Sequence, residues 1–242
     1  KERAEKRREE EMEKRREELR DQTQKSKPPV LIDRIHGLSL PESIVSELQK
    51  RNVEVKKAWD SLNEDELSLA SVLVIRDRMS GGQLKESDAR LISRFVQGGG
   101  GLVYFGRRNR QPSPLAPLLK HFQMSVQPDR LRIHPEAPDG LPEEAVLAGP
   151  VTTRHPITKG ARPVLFSLRS ASVKTARRNV LMVSNRWVRS SSTGQSPVPL
   201  MAARTAGKGR VVVFGSLPRL DDQKTGAAAR QLITNAIGWA AR

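Results

Sequence analysis

Asp33 and His36 stand three residues apart, where a short apolar run ends and the polar stretch DRIHG begins. A carboxylate beside an imidazole is the minimal pair for general acid–base work, provided each lies within hydrogen-bond reach of the other or of a substrate. The alternative for Asp33 is a loop brace, because Asp side chains readily bond nearby backbone N–H groups. A second polar cluster closes residues 98–110, GGGGLVYFGRRNR, where a glycine turn and an apolar strand lead to Gly106, Arg107, Arg108 and Asn109. Arg107 offers a planar fork for a carboxylate or a phosphate. His155, in the run RHPITKG, is a further candidate, with a packed structural histidine as its alternative. Asp33, His36, Arg107, Asn109 and His155 are thus the candidate ligand-binding residues.

Several chemistries are excluded. The chain has no cysteine, which removes disulfides, thiolate metal sites and thiol nucleophiles. Its four histidines, His36, His121, His134 and His155, show neither HxH nor HExxH spacing, so neither a metal nor any other cofactor is expected. Ser216 follows Gly215 without the G-x-S-x-G elbow of a serine hydrolase. The glycines at 98–101 precede a strand rather than follow one, which suits a helix stop with positive φ better than a phosphate cradle. Residues 207–210, GKGR, read as a turn before a strand, with phosphate binding as the alternative.

The net charge of +16 is unevenly spread. Residues 1–27 carry 11 basic and 9 acidic side chains, and residues 28–144 carry 16 of each. Residues 145–220 hold 13 Lys or Arg and no Asp or Glu. Such a field attracts polyanions or a protein with an acidic face. Arg177, Arg178, Arg186 and Arg189 are the candidate polyanion-binding residues. Few aromatic residues are available to stack bases, so any nucleic-acid binding would follow the backbone without reading sequence.

The elements that must position these residues follow from hydrophobic periodicity. Residues 1–27 read as one charged helix or spacer with favourable i,i+4 pairs, such as Glu10 and Lys14, and almost no apolar face. SKPP at 26–29 ends it and sets the domain boundary at 28. Strands are expected at 30–35, 53–55, 72–75 and 102–105, and helices at 41–51, 64–70, 86–97 and 115–122. Repeated βα units with short connections imply a mainly parallel sheet covered on both faces. Residues 124–150 suit an insertion or β-extension. Strands are then expected at 164–168, 180–183, 198–203 and 210–215, with SSSTGQS at 190–196 as a flexible hairpin tip and a closing helix at 226–241. No apolar run reaches the roughly 18 residues that span a bilayer, so the chain as given reads as soluble. Because it begins at Lys1, a membrane tether upstream is a further expectation, making it the soluble part of a membrane-associated protein.

Four landmarks in order, DRIHG at 33–37, GGGGLVYFG at 98–106, RHPITKG at 154–160 and GKGR leading into VVVFG, resemble the class I glutamine amidotransferase-like superfamily. The resemblance covers roughly residues 30–240. It points to the non-catalytic branch found in bacterial membrane-associated proteins, gliding-type ABC transporter accessory proteins and an intraflagellar-transport subunit. It implies a flavodoxin-like three-layer α/β sandwich. Catalytic members place a cysteine on the turn after the strand matching residues 102–105, where this chain has Gly106 and Arg107.

The expected function is a non-enzymatic ligand-binding or protein-assembly module on a degenerate amidotransferase-like scaffold. The rivals are a hydrolase-type enzyme using Asp33 and His36, and an unspecific binder of nucleic acid or anionic surfaces through residues 145–220. Because residues 1–27 have almost no apolar face to bury, their removal should leave the rest folded, with melting temperatures within a few degrees of each other. Loss of a cooperative melt on truncation would show that the segment packs on the core.

Overall fold

The computed structural model describes residues 28–59, 62–78, 84–107, 115–138 and 144–242; the expected helix at 1–27 lies outside them. Nine strands form one sheet in the order β2-β1-β3-β4-β13-β12-β10-β7-β8. Its first part comprises β1 (Val30–Asp33), β2 (Val55–Ala58), β3 (Val72–Arg76), β4 (Gly101–Phe105) and β13 (Gly209–Phe214), all parallel. The order 2-1-3-4-5 of these five is the flavodoxin-like one. β7 (Ala145–Pro150), β8 (Val164–Ser167), β10 (Val180–Ser184) and β12 (Pro199–Ala206) continue the sheet through antiparallel pairings. The sheet is therefore mixed, with its parallel part formed by the four strands of the βα half of the chain and by β13 from near its end.

Side-chain alternation divides the interior into two cores. Val72, Val74, Val103, Phe105, Val212 and Phe214 face one side, and Leu73, Ile75, Leu102, Tyr104, Val211 and Val213 face the other. The helices α1 (Glu42–Lys50) and α5 (Gly226–Ala240) cover the first core, with Ile44, Val45, Leu48, Leu232, Ile233 and Ile237 directed inward. The second is covered by α2 (Glu64–Ser68), α3 (Glu86–Gln97) and α4 (Ala116–His121). Asn63 caps α2 by accepting from the Glu66 N–H at 2.9 Å, as its sequence position suggests. The expected strand at 53–55 lies later: Val53 N–H still bonds the Leu48 carbonyl, and Asn52 turns the chain at φ +56°, so pairing begins at Val55.

The glycines do the structural work expected of them. Gly99 has φ +124° and Gly207 φ +61°, conformations that disfavour residues with a Cβ. A Cβ at Gly209 would lie 2.0 Å from the Val96 carbonyl oxygen, so the two glycine turns pack directly on each other. Both sit at the amino-terminal ends of the parallel strands, away from the end where ligands of open α/β sheets bind.

Of the residues expected as an insertion or β-extension, 124–138 carry two short strands and 145–150 form β7 of the main sheet. The short strands β5 (Ser125–Val126) and β6 (Leu131–Ile133) pair with β9 (Val173–Lys174) and β11 (Val188–Ser190) respectively. The SSSTGQS run is no free hairpin tip, because it begins inside β11 and is tied down. Buried Asp129 accepts from Ser190 Oγ at 2.6 Å and from Ser172 Oγ and N–H at 2.5 and 2.9 Å. Asp129→Ala would strand these buried donors, and should cost about 1–3 kcal/mol in urea unfolding. An unchanged midpoint would show that the β5, β6, β9 and β11 layer folds without this tie.

Candidate functional site

Asp33 ends β1, fully buried, where it braces the following loop and reaches His36. One carboxylate oxygen accepts from the backbone N–H groups of Ile35 and His36 at 2.8 and 3.0 Å, bracing the loop. The other is 2.8 Å from His36 Nδ1. The second imidazole nitrogen, Nε2, lies 3.5 Å from Asp88 Oδ2, in the first turn of α3. Burial alone would push the His36 pKa down, but the Asp33 hydrogen bond and charge, helped by Asp88, hold it above 6.5. His36 is thus clamped between two carboxylates that favour its protonated form, joining the β1 loop to α3. Asp88 gave no sequence signal, since its neighbour lies 52 residues away in the chain.

The other face of the same strand ends carries arginines. Arg34 and Arg76 both bond Ser39, through its Oγ and its carbonyl oxygen respectively, the latter at 2.9 Å. Arg78 donates to the Ile35 carbonyl at 2.8 Å. Arg107 is exposed, and its charge together with burial holds Arg76 below its ordinary pKa, burial being the larger cause. Arg34 and Arg76 were missed in the sequence because each reads there as the polar end of an apolar strand. Strand-end parity was the signal that could have found them, once the strand order was known.

The candidate residues do not all converge. Asp33, His36 and Arg107 share the carboxyl ends of the parallel strands, and Asn109 lies outside the described residues. His155 is at the opposite end: its ring lies 4.9 Å from that of Trp239, which also stacks under Arg210, and Arg210 is paired in register with Gly101. His155 Nδ1 accepts from the Ile157 N–H at 3.3 Å, and burial with the Arg210 charge lowers its pKa. It is a packed histidine. Ser216 Oγ is 2.5 Å from Ser170 Oγ, with no histidine among its hydrogen-bond partners. No cluster of three metal-ligating side chains occurs among the described residues.

Arg177, Arg178, Arg186 and Arg189 are all exposed, and none pairs with a carboxylate among the described residues. Arg186 lies over Trp187 at 4.8 Å, and Arg189 is directly opposite exposed Arg132 in the β6–β11 ribbon. Like charges directly opposite each other destabilise a strand pair. On the α1/α5 side of the sheet, an open hollow of about 430 Å³ is lined by Pro41, Leu217, Pro218, Arg219, Leu220 and Arg230, among others.

The two site histidines should titrate in opposite senses. Folded His36 holds its proton more tightly than the unfolded chain, so its stabilisation is complete below pH 6.5 and is lost as pH rises through the folded value. Folded His155 holds its proton less tightly, so its contribution is present above pH 6.5 and lost as pH falls through the folded value. Urea midpoints measured from about pH 5 to pH 8 should lose their alkaline decline in His36→Gln and their acid decline in His155→Gln. Identical profiles in wild type and His36→Gln would show that the clamp is not charged.

No family model matches the sequence, and no curated protein matches it closely enough to be informative. Solved structures do resemble it. The mmIFT52 N-terminal domain superposes with a TM-score of 0.66 at 14% identity, covering 88% of this chain and 96% of that one. Cytoplasmic protein STM3548 from Salmonella typhimurium gives 0.60 at 16% identity, with 88% and 99% covered. A ThuA-like protein from Bacteroides uniformis gives 0.56 at 14% identity, with 89% and 91% covered. Identities this low speak to fold alone: the chain shares the α/β fold of these proteins.

Proposed function

We propose that this chain is a non-enzymatic binding and assembly module on a degenerate amidotransferase-like scaffold, engaging a protein partner with an acidic face. The observation that carries the non-enzymatic part is the closed turn after β4. Gly106 donates its N–H to the Phe214 carbonyl at 2.8 Å, and a Cβ there would lie 2.9 Å from both methyl carbons of Val126. The turn has no thiol and little room for one. The hydrolase reading through Asp33 and His36 is less well supported, because both imidazole nitrogens face carboxylates and neither offers a lone pair to a substrate. Assembly is supported by the acid-free arginine surface, where Arg132 joins Arg189 on the β6–β11 ribbon.

Among the described residues, no helix is long and apolar enough to cross a membrane.

Incubation with glutamine should release no ammonia above background, and Gly106→Cys should neither create that activity nor leave stability intact. Turnover lost on His36→Gln would overturn the non-enzymatic reading. On the binding side, an acidic polypeptide should be held more tightly than duplex DNA of equal charge. Changing Arg177, Arg178, Arg186 and Arg189 together to Gln should weaken both and lower the salt slope by roughly 3. DNA bound as tightly as the polypeptide would favour unspecific polyanion binding, and binding indifferent to salt would remove the surface from consideration.

A further inference from the structure

The carboxyl ends of the parallel strands have two faces of opposite character. On the α3 side stand Asp33, His36 and Asp88, bonded to one another. On the α1 side stand three arginines from three adjacent strands. Arg34 follows β1, Arg76 ends β3 and Arg107 lies two residues beyond β4. Arg34 and Arg76 are drawn together at Ser39, whose Oγ and carbonyl oxygen each take a donor from one of them. Arg76 itself pairs with Phe105, so Arg107 is one same-face step further out on the next strand. All three share the parity of Val74 and Phe105, whose side chains pack toward α1 and α5.

Three guanidinium groups at neighbouring positions repel one another unless an anion lies between them. Among the described residues, no carboxylate lies within ion-pair distance of any of them. The strand-end acids are committed elsewhere, Asp33 to His36 and the loop backbone, and Asp77 to the Tyr104 hydroxyl at 3.0 Å. Glu42, exposed in the first turn of α1, pairs with none of the three. Ser39 takes one donor from Arg34 and one from Arg76, which fixes both side chains and leaves most of their five N–H groups for a ligand. Arg34 Nε is buried with no hydrogen-bond partner among the described residues. The Arg34 guanidinium rests 4.7 Å above the ring of Trp59, which is 60% exposed.

We propose that Arg34, Arg76 and Arg107 form a binding site for a phosphate group, carried by a small phosphorylated molecule or free in solution. Phosphate fits better than carboxylate on charge and valence. It brings close to two negative charges and three acceptor oxygens to three guanidinium forks, whereas a carboxylate brings one charge and two oxygens. Burial, and after it the charge of Arg107, hold the Arg76 pKa below its ordinary value. The site does not depend on the non-enzymatic reading, since glutamine turnover would overturn that reading and leave phosphate affinity untouched.

The test is isothermal titration of the full chain at constant ionic strength with inorganic phosphate, phenyl phosphate and acetate. Arg107 is exposed and makes no hydrogen bond or ion pair among the described residues, so Arg107→Gln should fold normally and weaken phosphate binding about tenfold or more. Arg76→Lys keeps the charge but loses the fork and should weaken it further. The quadruple change at Arg177, Arg178, Arg186 and Arg189 should leave phosphate affinity intact. Tighter binding of phenyl phosphate than of inorganic phosphate would support a phosphorylated molecule as the source, and the reverse order would support free phosphate. Unchanged affinity in Arg107→Gln, loss in the quadruple variant instead, or acetate binding as tight as phosphate would each overturn the site.

Discussion

The pairing of β4 with β13 holds the two halves of this molecule together. β4 closes a run of βα units made from the first part of the chain, while β13 arrives more than a hundred residues later and aligns parallel to it over five residue pairs. At the carboxyl end the rings of Phe105 and Phe214 stack 4.8 Å apart, fully buried. At the amino end, Gly101 and Gly209 let helix backbones approach more closely than any Cβ would allow. β13 also carries β12 and, through it, the antiparallel strands. Such non-local pairing is entropically expensive to close, so it is stable only because both faces of each strand are buried.

The same pairing sets the surroundings of the site. Gly106 bonds back to Phe214, so the turn after β4 is held against β13 and against Val126 of the extension. The strand ends are thereby divided by side-chain parity. Asp33 has the parity of Leu31 and meets His36 and α3; Arg34 and Arg76 have the parity of Ile32 and Val74 and meet the loop before α1. The carboxyl ends of the parallel strands thus hold an acid–histidine clamp on one face and, on the other, arginines that pair with no carboxylate among the described residues.

Elsewhere the charge imbalance survives folding. The exposed arginines of residues 177–189 pair with no acid among the described residues, and β6 adds Arg132 to the same basic ribbon rather than neutralising it. Surface cations left without partners contribute little to stability, and their value lies in the field they present to other molecules.

Much of this was legible in the residues themselves. The core faces of α1 and α3, the Asn63 cap, the buried strands read at 72–75 and 102–105 and the glycine stop all follow from local periodicity and φ preference, which depend only on near neighbours. The bracing of the β1 loop by Asp33 was legible for the same reason, as its partners lie two and three residues on. What local pattern does not contain is strand order. Only tertiary structure decided that β7, β8, β10 and β12 continue the sheet through antiparallel pairings, that SSSTGQS is tied to Asp129, and that His155 belongs to the far end beside Trp239. Only it brought Asp88 to His36 and set Arg34 beside Arg76, because those contacts join residues dozens of positions apart. The types and spacings of side chains along a chain determine which elements form and which face is apolar; which strand ends become neighbours depends on the order in which the buried sheet is assembled.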